Sequence, residues 1–338
     1  MKVLLIQKYS GYGGVNTFVR NLNEKLKELR IKSLLITAPP SLHFYRKGLS
    51  SKTSLASYIP NTYKFLSYLD KKIQKEKPDV IHSQSFVDSL LALKYKNFLQ
   101  TVHDIHSITC YIIQQRIPFF HHLITKLSRF QKFVVAPSQL VKKGLILMGF
   151  KNIKIIPHGV DTKFFYKRVR KKIKNSILMI NPTFKKGFFV LRNLNYIFRE
   201  LPPIKIYLVN CPYQLPKKYS SKITNFINPS NEELVKIYSK TEVFLLPSLY
   251  EPFGLVALEA MACGCVPIVS NMCGVADLII NGENGFVLPL KNFVEGMIKI
   301  LKNVDLTKLS KKCEKYAKKF DWKFTAKEYL KLYEEVQT

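Results

Sequence analysis

The chain has 338 residues, 47% hydrophobic and 23% charged. That composition packs a core and excludes a mainly disordered polypeptide, and the length suits two domains of roughly 150 residues each better than one. With 54 Lys and Arg against 23 Asp and Glu the net charge is +31, well past what solubility asks, and no apolar run approaches the roughly 18 residues of a membrane-spanning helix.

The charge is uneven. Residues 1–158 carry a net +18 and residues 159–338 a net +13. A lysine-rich proteome produces such a surface without any partner, whereas an anionic membrane or a nucleic acid would exploit it. The six cysteines (Cys110, Cys211, Cys263, Cys265, Cys273 and Cys313) have no CxxC spacing. This argues against a zinc cage or a disulfide framework and fits a reducing cytoplasm. Met1–Gln7 runs straight into a polar, Gly-rich loop, so it is read neither as an export signal nor as an anchor.

In chain order, strand-like runs stand at Val3–Gln7, Ser33–Thr37, Asp79–His82, Phe98–Val102, Phe133–Ala136 and Ile153–Ile156. Helical spacing at Val15–Leu29 and Gln139–Met148 falls between them, the pattern of a parallel sheet with crossover helices. A basic, poorly periodic connection, Pro157–Lys174, precedes a second set of strands at Ile177–Ile180, Ile204–Val209, Val243–Leu246 and Val266–Val269. Helix formers then dominate Asn292–Asn303, Leu306–Phe320 and Trp322–Val336. The expected fold class is α/β, two Rossmann-like domains and a helical tail.

Two loops stand out. Tyr9-Ser-Gly-Tyr-Gly-Gly-Val15 follows the first strand and opens a helix, where glycines allow positive φ and the helix start attracts phosphate. The same residues also read as a tight structural turn. Nicotinamide binding is disfavoured, because Asn16 stands where GxGxxG needs its third glycine and the second strand ends without an acidic residue to hold a ribose. The second loop, Glu251-Pro-Phe-Gly254, leads from a strand into a helix, so the amides of Phe253, Gly254 and Leu255 form an anion-binding end. Glu259 lies eight residues on, among residues suited to burial, and a buried carboxylate needs a partner.

Pro247–Gly264, read as PSLYEPFGLVALEAMACG, resembles the signature of the family 4 glycosyltransferases of GT-B fold. Gly13-Gly14-Val15 is similar to the family's N-terminal glycine loop, Thr101-Val-His-Asp104 to its cleft histidine, Ile155–Asp161 to its interdomain segment, and Lys185-Lys186-Gly187 to its donor-phosphate lysine. The resemblance thus spans nearly the whole chain. It implies domains facing across a cleft, with residues 1–158 on the acceptor side, 159–320 on the donor side, and a helix at 321–338 crossing back to pack on the first domain.

It also implies transfer of a hexose from a nucleotide-diphosphate sugar with retention of anomeric configuration. Glu251, His103 and Lys186 would be catalytic: Glu251 bonds sugar hydroxyls, His103 faces the reacting sugar, and Lys186 neutralises the departing diphosphate. His103 also reads as a hydrogen-bonded structural histidine. Gly13, Gly14, Asn181, Lys185, Phe253, Gly254, Leu255 and Glu259 would bind the donor, Glu259 at the ribose. One departure is clear: the family usually has Gly-Arg shortly before the lysine, and Ile180-Asn181-Pro182 stands there instead. A lesser one is Cys273-Gly274 where Gly-Gly is common.

No Asp-x-Asp occurs, so neither metal nor cofactor is expected, and a UDP- or GDP-hexose enters as substrate. The expected location is cytoplasmic, with a peripheral position on the inner face of the cell membrane and a lipid-linked or phosphorylated acceptor. Ile112–Lys132, apolar with interspersed Arg and Lys, would lie on such a surface, or would pack on the sheet as an ordinary amphipathic helix. Alternatives are another GT-B enzyme such as a phosphorylase or epimerase, and a nucleic-acid-binding protein. For the last, the aromatic and basic runs Phe44–Lys47 and Phe164–Arg168 match no known reading module.

Overall fold

A computed structural model describes residues 1–7, 13–37, 55–84, 88–104 and 131–337. The start of the Tyr9–Val15 loop, the run Phe44–Lys47 and nearly all of Ile112–Lys132 lie outside them. The chain divides into two compact units, Met1–Pro157 with Trp322–Thr338, and His158–Asp321.

The first unit holds β1 (Lys2–Gln7), β2 (Lys32–Thr37), β3 (Val80–Ser83), β4 (Phe98–Thr101), β5 (Phe133–Ala136) and β6 (Ile153–Ile155). They form one parallel sheet in the order β2-β1-β3-β4-β5-β6. Near-continuous apolar strands such as Val3–Ile6 are buried on both faces, as crossover helices demand. Those helices include α1 (Gly14–Glu28), α2 (Leu55–Glu76) and α3 (Gln139–Leu147). α1 buries Phe18, Val19, Leu22 and Leu26 along one stripe, and α3 starts at Ser138, whose hydroxyl accepts from the Val141 amide.

In the second unit β7 (Ile173–Ile180), β8 (Lys205–Val209), β9 (Ile223–Phe226), β10 (Thr241–Leu246), β11 (Val266–Ser270) and β12 (Phe286–Leu288) make a second parallel sheet, ordered β12-β11-β10-β7-β8-β9. Its helices are α4 (Phe188–Arg192), α5 (Leu194–Glu200), α6 (Asn231–Lys240), α7 (Leu255–Ala262), α8 (Phe293–Asn303) and α9 (Leu306–Ala317). A capping box between Ser230 and Glu233 starts α6. β7 begins four residues earlier than its apolar run suggests, with an irregularity at Asn175 (φ 52), whose amide donates to the Glu242 carboxylate. The edge strands β9 and β12 are short and partly exposed: ITNF has two polar residues in four, and FVL is apolar but only three residues long.

The last helix, α10 (Trp322–Gln337), returns to the first unit and packs against α1, β3 and β4. Trp322, Tyr329 and Tyr333 on it are fully buried. Buried polar groups fix its register: His82 Nδ1 is 2.8 Å from Tyr333 Oη, His82 Nε2 is 2.7 Å from Thr101 Oγ1, and Thr101 Oγ1 is 3.0 Å from Tyr329 Oη. Burial lowers the His82 pKa to about 3, so the ring stays neutral and the network needs no counter-ion.

Candidate functional site

In the second sheet the chain runs outward from β7 through β8 to β9, then returns to lay β10 on the other side of β7. At such a reversal the loops leaving the strands part, and a crevice opens at the carboxyl ends. The loops leaving β7 and β10 carry Asn181, Lys185 and Lys186 in one case and Glu251, Phe253 and Gly254 in the other. The fold thus brings together residues about seventy positions apart.

Lys186 Nζ lies 3.0 Å from Glu251 Oε2, with the glutamate side chain 15% exposed and the lysine 41%. The two loops are joined: the Leu249 amide donates to the Lys185 carbonyl at 2.8 Å, and Gly187 (φ 89) sits so close to Pro247 that an added Cβ would fall 2.1 Å from its Cγ. No side chain fits there. Lys185 occupies the exposed side of the same turn. Asn181 follows β7 with φ 47, a left-handed conformation that Asn tolerates; its amide donates to the Val209 carbonyl. It can therefore do the backbone work of a glycine, while Pro182 supplies no charge.

Glu251 is held through its backbone: its amide donates to the Met272 carbonyl at 3.0 Å, and its carbonyl accepts from Gly274 at 2.8 Å. The Val275 amide donates to the Phe253 carbonyl at 2.6 Å. Residues 272–275 thus wall the loop. Gly254 (φ 103, ψ 56) then turns the chain into α7, and a Cβ there would meet Leu246 Cδ2 at 2.8 Å. Phe253 is buried with its ring 4.9 Å from that of His158. Leu255 is the first residue of α7. No carbonyl among the described residues takes up the amides of Phe253, Gly254 and Leu255, so a helix start with open donors adjoins the Lys186–Glu251 pair.

Glu259, one turn from the end of α7, receives the Tyr238 hydroxyl of α6 on Oε2 at 3.1 Å. Burial raises its pKa to about 7, against the pull of that hydrogen bond. Burial likewise drives the Tyr238 phenol well above its ordinary range, so it remains a donor. Behind both helices Lys172 Nζ donates to the carbonyls of Tyr238 (3.1 Å), Ser239 (2.9 Å), Thr241 (2.8 Å) and Cys263 (2.9 Å). One cation therefore closes the carboxyl ends of the two helices that carry Tyr238 and Glu259.

Gly13, Gly14 and His103 belong to the first unit. Gly13 (φ 145) caps α1, Gly14 opens it, and both are exposed. Asn16, in place of a third glycine, accepts from the Gln7 side chain. His103 Nε2 is 2.7 Å from Gln84 Oε1, and its ring meets the edge of Phe18 at 4.7 Å. Burial lowers its pKa to about 3, which keeps the imidazole neutral. Sequence reasoning did not single out Tyr238, Gln84 or the 272–275 wall. The only signal was Cys273-Gly274, noted as a departure rather than as a contact of Glu251. Among the described residues no group of three or more His, Cys, Asp or Glu is arranged to hold a metal ion.

The paired parallel sheets are those of the GT-B fold. Solved structures share it over the whole chain: sucrose-phosphate synthase from Thermosynechococcus elongatus has a TM-score of 0.75 at 19% identity, covering 99% of this chain and 98% of that one. The Anabaena protein HepE in complex with UDP and glucose has a TM-score of 0.69 at 16% identity, covering 99% and 100%. The family model for Glycosyltransferase Family 4 matches residues 12–164 and that for glycosyl transferases group 1 matches residues 215–320. The chain belongs to these family 4 glycosyltransferases. A full-length relative, an uncharacterised glycosyltransferase of Methanocaldococcus jannaschii, is 25% identical over 99% of both chains.

Proposed function

We propose that this glycosyltransferase moves a hexose from a nucleoside-diphosphate sugar to an acceptor hydroxyl with retention of anomeric configuration. The observation that carries the proposal is the Lys186–Glu251 pair at 3.0 Å beside the open amides at the start of α7. A cation and a helix start suit a diphosphate, and a carboxylate held between them suits sugar hydroxyls. In this reading Glu251 bonds the sugar, Lys186 and the amides of Phe253, Gly254 and Leu255 take the charge that grows on the leaving diphosphate, and Glu259 accepts from the ribose. Asn181 and Lys185 complete the phosphate side where the family arginine is missing. His103, Gly13 and Gly14 keep in this reading the roles that the family resemblance implies. A neutral imidazole there offers a hydrogen bond rather than a charge.

UDP is the first nucleotide to try, because the Anabaena protein of the same fold is a UDP complex. No metal or cofactor is required in this reading, so a chelator leaves turnover unchanged; loss of activity restored by Mg²⁺ or Mn²⁺ contradicts it. The deciding experiment is transfer from a panel of UDP- and GDP-hexoses by the wild type and by Glu251→Gln. The variant folds normally and loses at least about a hundredfold in kcat, and product NMR reports the anomer. Undiminished transfer in the variant removes Glu251 from the mechanism.

The +31 charge supports a cytoplasmic enzyme working peripherally on an anionic membrane, on a lipid-linked or phosphorylated acceptor. No described helix is long and apolar enough to cross a membrane. Binding to anionic but not zwitterionic liposomes at low salt is the expected result, and absence of binding removes the membrane from the proposal.

A further inference from the structure

We infer that Tyr238 is a positioning residue for the donor: its hydroxyl orients the Glu259 carboxylate for a ribose diol, so that nucleotide binding depends on whether Glu259 carries a proton. The inference rests on the proposed contact between Glu259 and the ribose, and adds to it a partner and a consequence.

The geometry is that of a carboxylate held at one point. Tyr238 donates to Oε2 at 3.1 Å, and among the described residues no Lys, Arg or His lies within ion-pairing reach of Glu259. Tyr238 itself cannot swing away. It is fully buried on α6, its ring meets Phe165 and Phe244, and its carbonyl accepts from Lys172 and from the Cys265 thiol. The Cys263 thiol at the end of the same helix interacts electrostatically with Glu259, and both it and the Cys265 thiol are raised by burial and therefore neutral. Lys172 is turned to the backbone carbonyls, and Glu314 of α9 is paired with Lys167 at 3.6 Å. Among the described residues only the Tyr238 hydroxyl offers the carboxylate a side-chain hydrogen bond.

A diol presents two O–H donors. An ionised carboxylate accepts both with the lone pairs that Tyr238 leaves open, whereas the protonated acid loses one of those sites and gains a competing O–H. Since burial sets the Glu259 pKa to about 7 while the tyrosine bond draws it down, the diol contact is made on the alkaline side and lost on the acid side.

The test is calorimetric titration with UDP and with 2′,3′-dideoxyuridine diphosphate between pH 6 and pH 8.5, on the wild type, Tyr238→Phe and Glu259→Gln. The second nucleotide has the same phosphates and lacks the diol, so the ratio of the two affinities isolates the ribose contact. In the wild type the ratio rises about tenfold from pH 6 to pH 8. In Tyr238→Phe the rise moves to higher pH and the ratio at pH 7 drops several-fold, while the dideoxy affinity is unchanged. In Glu259→Gln it is low and flat. A Tyr238→Phe ratio that superimposes on the wild type overturns the inference and leaves the ribose reading standing. A wild-type ratio that is high but flat with pH overturns it without relying on the variant's folding. Equal affinities for the two nucleotides, or no binding of either, sink the ribose reading and the inference with it.

Discussion

Replacing Glu259 by glutamine makes the fold more stable, and does so only above the pH at which a free glutamate ionises. A free glutamate releases its proton near 4.5, whereas burial holds the proton on Glu259 up to about 7. Below the first value folded and unfolded chains are both protonated there. Between the two the folded chain keeps a proton that the unfolded chain has released, so stability falls as pH rises, and above about 7 the loss is complete. At about 1.4 kcal/mol per tenfold, and allowing for the exposed edge of the carboxylate, the loss is on the order of 2 to 3 kcal/mol. Glutamine matches the shape, can still accept from Tyr238, and never ionises. Scanning calorimetry of Glu259→Gln against wild type should therefore show near-equal melting at pH 4. At pH 8 the second unit of the variant should melt higher, by roughly 5 to 10 °C for a domain of this size. An equal difference at both pH values would refute the reasoning, as would a variant less stable than wild type at pH 8. Gained stability with lost nucleotide affinity is what a functional carboxylate in a dry place predicts.

Lys186→Ala leaves the melting temperature within a degree or two, because a part-exposed ion pair contributes little, yet weakens UDP binding roughly tenfold or more in titration calorimetry. Lys172→Met strips four carbonyls of their shared donor and destabilises the second unit by about 3 kcal/mol in urea unfolding. Gly187→Ala forces the lysine loop off Pro247, and nucleotide affinity falls further than in Lys186→Ala, because Asn181, Lys185 and Lys186 move together.

Much of this was legible in the sequence because the signals are local. An apolar run of four to six residues marks each central strand, so ten of the twelve strands stand where the runs do, within a few residues. The two missed, Ile223–Phe226 and Phe286–Leu288, are edge strands too short or too mixed to stand out, ITNF with two polar residues in four and FVL only three residues long. The Glu251–Glu259 stretch was legible for the same reason, a turn and a helix start written in consecutive residues. Its partners were not. Nothing in the amphipathic sequence of α6 distinguishes Tyr238 from an ordinary core tyrosine until the fold sets it across from Glu259. Asn181 was read as a loss relative to Gly-Arg, and its left-handed backbone shows that half of that motif, the turn, is kept.

The bonds between His82 and Tyr333 and between Thr101 and Tyr329 join residues 251 and 228 positions apart. During synthesis β3 and β4 leave the ribosome long before α10 exists, and the whole of the second unit must be made in between. The buried faces of His82 and Phe18 therefore stay open throughout that interval, and the first unit to be translated is the last to close.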